Sequence, residues 1–452
     1  MTTATLTYYA KASSEILIAR LSVTRQKSPL NRMVANLALA AVLAAVSVSA
    51  LHASARCNPR DFGAKGDGAT KDTAAIQAAI DACSRQGGGT VRLTAGTYLS
   101  APIVLKSNIT LQLDKGATLL GSADHADYPA RTEFRAPGLQ PLVSATDAVN
   151  LAITGEGVID GAGQTWWQMA RAVKNAGVVG SGHPRPALVV FDHCKHVLVE
   201  GVTIQNSPMW QLVPYYSDDV AIRNIKVLAP TDSPNTDAID PFSSSNVRIE
   251  HVFVDVGDDD IAIKSGEINS PGPDDPSRDI TITDCTFLHG HGLSIGSEIA
   301  GGARNIRAER IHFKGTDNGI RVKANRDRGN DVGPLTFRDI EMEDVKNALI
   351  LSAYYPHVLP SATEPPQPVT RLTPHFHDIT IENLTATGST LAGVIVGLPE
   401  APIRNVVLRH VKIGARQGMT IGYAEVSGEG VEVKTVEGQA ITKQAGAKVA
   451  LR

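Results

Sequence analysis

The sequence predicts an all-β protein: a single-domain right-handed parallel β-helix, a solenoid of short strands, carrying a short N-terminal capping helix. Three observations carry this prediction. The first is composition: 42% of the 452 residues are hydrophobic and only 5% aromatic, with 40 Gly, so a sizeable core must be built from Val, Ile and Leu in short segments cut by turns. The second is a six-residue motif, apolar-x-apolar-x-x-apolar, seen at Val197–Val202, Val220–Ile225 and Val247–Val252 and continuing with some drift at Ile280, Ile306, Leu335, Ile379 and Val406. The third is its spacing, 23 to 33 residues between successive starts from Val197 to Leu335 and 27 from Ile379 to Val406. A period of that size with no helix between the strands marks stacked β coils. The right hand follows from the general bias of parallel crossovers.

The N-terminus stands apart from the fold. Arg25, Lys27 and Arg32 precede the apolar run Leu37 to Leu51, which ends at Ala53-Ser54-Ala55, a small-x-small pattern suited to cleavage before Arg56. The run is short for a bilayer span, so a secretory signal peptide is expected rather than an anchor, with Met1 or Met33 as the start. The domain boundaries expected are 1–55 for the extension and signal and 56–452 for the β-helix. Localisation is then extracellular or periplasmic, with no stable membrane association after cleavage and a monomeric mature chain.

Residues 1–55 hold five basic and one acidic side chain, so their removal takes the net charge from −3 to −7. Nucleic acid binding driven by a positive field is excluded on that balance, and an anionic ligand must be held by a local basic patch. Four cysteines, Cys57, Cys83, Cys194 and Cys285, have no metal-site spacing. A Cys57–Cys83 disulfide and free buried thiols are equally open.

Asp72 stands as a candidate N-cap for a helix from Thr73 to Cys83, with Ile76, Ile80 and Cys83 on one face. Gly87-Gly88-Gly89 should end it, Thr90–Leu93 should begin the strands, and the helix should cover an open sheet end. The 44-residue interval between Leu335 and Ile379 holds a Pro-rich stretch, Pro356 to Pro374, expected to be a surface loop.

A second register lies inside the coils. Asp237-Ala238-Ile239, Asp259-Asp260-Ile261, His291-Gly292-Leu293, Asn318-Gly319-Ile320 and Asn347-Ala348-Leu349 each place a polar residue two positions before an inward Ile or Leu. Equivalent positions of a solenoid stack, so Asp237, Asp259 and His291 should form a column, with Asp258 beside it and Arg321 and Lys323 at the same face. Stacked carboxylates repel, and three consecutive acids, Asp258 to Asp260, are costly unless hydrogen-bonded, metal-bound or partly protonated. Carboxylate acid/base cleavage of a glycoside and divalent-metal lyase chemistry both fit such a cluster, against a solvated acidic corner.

Four ordered segments then carry a family resemblance: Asn235-Thr236-Asp237; Gly257-Asp258-Asp259 with Ile261–Gly266; Gly290–Ser297; and Arg321-Val322-Lys323. Together with Asp61–Gly68 and Asn206–Trp210, they resemble the signature segments of polygalacturonases, the pectin-degrading glycoside hydrolases of family 28. The resemblance implies inverting hydrolysis of α-1,4-linked galacturonan without a cofactor or metal, polygalacturonate being the partner. By similarity, Asp258 is the general acid, Asp237 and Asp259 hold and deprotonate the water, and His291 tunes the acid or touches the sugar. Arg321 and Lys323 would read the galacturonate carboxylate. Asn235 and Tyr355 are expected at the substrate, Tyr355 in preference to Tyr354.

Other residues carry weaker expectations. Trp166, Trp167 and Trp210 stack on sugars or pack under loops. Arg326 and Arg328 extend the basic patch or are solvated, and Asp240 is structural. The chain departs from its relatives at Asp260, where many carry Cys, and at Ser243-Ser244-Ser245; Asp260 is expected to add charge beside the acid. A calcium-dependent pectate lyase and a non-catalytic β-helix adhesin are the rival classes.

Overall fold

The computed structural model describes residues 55–175, 184–360 and 364–452. Residues 1–54 of the expected signal segment, with Met33, lie outside the described residues, as do 361–363 of the Pro-rich stretch, while Ala55 already belongs to the first strand.

The chain winds into parallel coils with three strands each, so that three parallel sheets enclose one apolar interior. The motif register is that expected: Val197 pairs with Val220, then Val247, Ile280, Ile306, Leu335, Ile379 and Val406 in unbroken succession. The fifth motif position explains the motif's uneven spacing. Gly201, Asn224, His251, Asp284, Arg310, Asp339, Asn383 and His410 occupy it with φ between 50° and 80°, a left-handed corner that turns the chain from the first sheet into the second. Apolar positions one and three point inward before the corner, and position six points inward after it.

The solenoid starts earlier than the sequence reading placed it. Strands Ala55–Cys57 and Asp67–Lys71 precede the helix and pair with Gly89–Leu93 and Gly96–Ser100. Helix α1, Thr73–Arg85, buries Ile76, Ala79, Ile80 and Cys83 against the first coils. Asp72 does not cap it through its side chain; that carboxylate accepts the Lys65 and Gly66 N–H groups at 2.7 and 2.8 Å, bracing the preceding loop instead. Cys57 and Cys83 form a disulfide that fastens α1 to the first strand, while Cys194 and Cys285 are free and buried. Ser244 joins a ladder: the Cys194, Ser217 and Ser244 N–H groups donate to the hydroxyls of Ser217, Ser244 and Ser277.

The third sheet carries the polar clusters. Its strands include Val143–Thr146, Val189–Asp192, Leu212–Tyr215, Ile261–Ser265, Leu293–Ile299, Asn318–Lys323 and Asn347–Ser352, with Ile239 and Phe242 bridging into it. Ile239, Ile261, Leu293, Ile320 and Leu349 stack in one inward row.

Candidate active site

That row aligns Asp237, Asp259 and His291 as expected, and Asn318 and Asn347 continue the column with an Asn347 Nδ2 to Asn318 Oδ1 bond of 3.1 Å. Local backbone chemistry makes the turn at His291. Gly290 and Gly292 have φ of 64° and 84°, and a side chain at Gly292 would overlap the Asn318 carbonyl. The Gly292 N–H donates to Asp260 Oδ2 at 2.9 Å, and Asn318 Nδ2 donates to the His291 carbonyl at 3.1 Å. Thr236 Oγ1 accepts the Gly257 N–H at 3.2 Å, tying the first cluster to the second.

Alignment of Cα atoms does not make the side chains interact down the column. His291 Nδ1 is 2.9 Å from Asp258 Oδ1, the carboxylate one position out of register. Asp259 is instead enclosed: Arg321 Nη2 and Ser294 Oγ donate to its Oδ1 at 2.5 and 2.9 Å, and Lys323 Nζ to its Oδ2 at 2.7 Å. Arg321 also donates from Nε to Ser294 Oγ at 2.9 Å. The two cations expected to read a substrate carboxylate thus both hold Asp259 in the free protein. Tyr355 lies at the same place, with Lys323 Nζ 5.4 Å and the Arg328 guanidinium 5.6 Å from its ring centroid, whereas Tyr354 is buried beside Arg326.

Asp237 has a different partner. Lys264, buried in strand Ile261–Ser265, brings Nζ to 3.4 Å from Asp237 and 3.6 Å from Glu298. Asp240 is fully buried below with neither oxygen hydrogen-bonded. A lysine in an otherwise apolar strand needs carboxylate neighbours, and that signal within the second motif could have found Lys264 from sequence, though not its partner Glu298.

These environments separate the carboxyls. Burial, then the charge of Asp258, pushes Asp237 up to about 7. Burial works against ionisation of Asp259 too, but Arg321 and Lys323 overcome it and hold Asp259 well below the usual carboxylate range. Burial likewise opposes the Asp258 charge, and the His291 bond reverses that, holding Asp258 low while raising His291. Lys264 keeps its proton against burial because Asp237, Asp240 and Glu298 surround it. At Asp260 burial raises the carboxyl well above its ordinary value in spite of the Gly292 N–H bond, which works against the added negative charge expected beside the acid.

Asn235 accepts from Arg185, a residue that sequence reasoning missed because it lies outside every motif. Arg185 Nη2 donates to Asn235 Oδ1 at 2.6 Å, and Nη1 donates to the carbonyls of Pro208 and Pro234 at 2.8 Å each. Two of its five N–H donors have no partner among the described residues, and no carboxylate there pairs with it. Its field reaches Asp237 and Asp258. Of the remaining candidates, Trp166 and Trp167 are buried and Arg326 pairs with Glu400 and Glu364, whereas Arg328 stays beside the site, pairing with Asp327 and with Glu298.

Asp258, Asp259 and His291 each offer a ligand atom, all within 4.8 Å of one another. A cation there would have to displace Arg321 and Lys323 from Asp259, so the donor set does not fit a resident metal. What the arrangement offers is one clamped anion, one carboxyl raised to about 7 and one carboxylate–imidazole pair, which suits proton transfer to and from a bound ligand.

The family model for glycosyl hydrolases family 28 matches residues 83–438. A probable polygalacturonase of Vitis vinifera is 31% identical over 78% of this chain and 73% of its own length. An endo-polygalacturonase of Pectobacterium carotovorum subsp. carotovorum is 30% identical over 77% of this chain and 85% of its own. Among solved structures, the hyperthermoactive exopolygalacturonase from Thermotoga maritima superposes with a TM-score of 0.73 at 31% identity, covering 84% of this chain and 92% of that one.

Proposed function

Because the chain belongs to glycosyl hydrolases family 28, and so is a glycosidase, we propose that it is exported and hydrolyses α-1,4-galacturonosyl linkages of polygalacturonate with inversion at the anomeric carbon. Export is supported by the basic-then-apolar N-terminus and by the Cys57–Cys83 disulfide, which suits an oxidising compartment. A galacturonan substrate is supported by the named activities of the relatives and by the cations at the site. Arg321 and Lys323 bring two positive charges to the one carboxylate of Asp259, leaving a surplus of one, and Arg185 adds another.

The observation that carries the reading is the convergence of three aspartates on one face, with Asp258 2.9 Å from His291 and Asp259 clamped by Arg321 and Lys323. Asp258 shares a proton with His291 and delivers it to the glycosidic oxygen as the C1–O bond breaks. Water attacks C1 from the opposite face and gives its proton to Asp237, which acts in its ionised form, while the Asp259 carboxylate holds the water in place. The Arg321 and Lys323 clamp keeps the Asp259 charge in place in a nearly dry site. Asn235 and Tyr355 contact the sugar chain.

Incubation with polygalacturonate tests this. New reducing ends without ultraviolet-absorbing unsaturated product are expected, and chelator should leave the rate unchanged. Unsaturated product, or loss of activity with chelator, would overturn the reading in favour of a metal-dependent lyase. Absence of any cleavage would favour a binding protein.

A further inference from the structure

The outward face of the site sheet changes character one coil before Asp237. Val190 and Val213 point out of the solenoid, since their strand neighbours Val189, Phe191 and Leu212 belong to the interior, and Phe242 joins them by pairing with Tyr215, yet Val190, Val213 and Phe242 are at most 1% exposed. Together with Ala187 and Tyr215 they form a second apolar cluster outside the coils. Its roof comes from far away in the chain. The antiparallel hairpin Ala130–Glu133 and Ala136–Leu139 brings Phe134 to its tip, with ring centroids 5.1 Å from Trp210, 5.2 Å from Tyr215 and 6.1 Å from Phe242, stacked on the last.

Trp210 stands two residues before Leu212, in the register of Asp237 and Asp259 on the preceding coil. Its ring does not stay in that column: it reaches across the sheet to within 4.9 Å of Lys264 Nζ, the same ammonium that faces Asp237. The hairpin tip is pinned there. Arg135 bonds to Asp274 Oδ1 at 2.8 Å and to the Tyr216 hydroxyl at 2.5 Å, and the buried Asp274 is itself held by Ser270 and Arg371. These are aromatic contacts with charge-assisted anchors, not a loose loop.

A polysaccharide lying along the sheet over Ser294 and Arg321 therefore meets Trp210 and Phe134 as soon as it passes Asp237. We propose that these two side chains wall off one end of the site, so that the protein acts on the end of a galacturonan chain and not within it. The inference rests on the proposed hydrolysis and adds the mode of attack. A chain interior needs a groove open at both ends, and closing one is enough to forbid it.

The test is the size of the first products from a galacturonate hexamer labelled at its reducing end, read before a tenth of it is consumed. A single labelled product class, formed with little loss of viscosity in a parallel polygalacturonate digest, is expected. An early ladder of labelled sizes with rapid viscosity loss overturns the inference while leaving hydrolysis intact, whereas no reducing ends at all would instead refute the proposed function. The F134A/W210A variant, melting as the wild type does, should convert the single product into a ladder. An unchanged product pattern in that folded variant also overturns the wall, and if it does not fold the wild-type digest decides.

Discussion

Asp258→Asn changes one atom at the centre of the proposed chemistry. The asparagine keeps the shape of the side chain, and its carbonyl oxygen can still accept the Asp259 N–H and face His291 Nδ1, each 2.9 Å from Asp258 Oδ1. Lost are the transferable proton and the negative charge. Removing a general acid costs about 10²- to 10⁴-fold in rate, roughly 3 to 5.5 kcal/mol of transition-state stabilisation. The charge loss has two further consequences. His291, raised by Asp258, should fall back towards its ordinary value of about 6.5, and Asp237, raised to about 7 partly by the same charge, should ionise more easily. Reducing-end release at saturating polygalacturonate measures the rate, a thermal melt controls for folding, and NMR titration follows His291. More than a tenth of the activity retained, with an unmoved His291 titration, would refute the assignment of Asp258 and its pairing with His291.

Two other outcomes follow from the same geometry. Arg185→Gln removes the guanidinium that has spare donors beside Asn235; KM for polygalacturonate should rise about tenfold or more with kcat less affected, and an unchanged KM would mean that Arg185 only braces the Pro208 and Pro234 carbonyls. Thermal stability should be greatest at mildly acidic pH. Asp237, Glu133 and Glu267 are pushed up to about 7 by burial, so the folded state binds extra protons from about pH 4 to 7 and loses stability as pH rises through that window. The raised His291 adds to the loss above its ordinary value, while the lowered Asp258 and Asp259 withdraw their contribution only as pH falls below about 4. A melting temperature that climbs from pH 5 to pH 8 would contradict these environments.

The coil register was legible in the sequence because it is written in apolar residues: Ile239, Ile261, Leu293, Ile320 and Leu349 can only point inward, and their stacking fixes which polar residues share a face. Side-chain direction is another matter. His291 stacks above Asp259 by register but turns to Asp258, because Arg321, Lys323 and Ser294 already occupy Asp259. A repeat pattern cannot tell which of two adjacent carboxylates a neighbour will choose, since that depends on competing partners from later coils. Asp260 shows the same limit from another side: its sequence position suggests added charge, while complete burial disfavours that charge even though the Gly292 N–H supports it. Elements joined over long separations were not legible at all. The Arg135 to Asp274 pair spans 139 residues, and no local pattern announces that a hairpin near the first coils will lie against Trp210. Arg185 was missed for a related reason, as its role comes from two proline carbonyls and Asn235 brought to it by other coils.

The most direct test of the acid/base division among Asp237, Asp258 and Asp259 is the anomeric configuration of the first-formed product, followed by proton NMR before mutarotation. A proton donor and a water-activating pair acting on opposite faces of the ring predict a β-configured new reducing end from the α-linked substrate. An α-configured product would require a covalent intermediate that this arrangement does not provide, and would contradict the proposed roles.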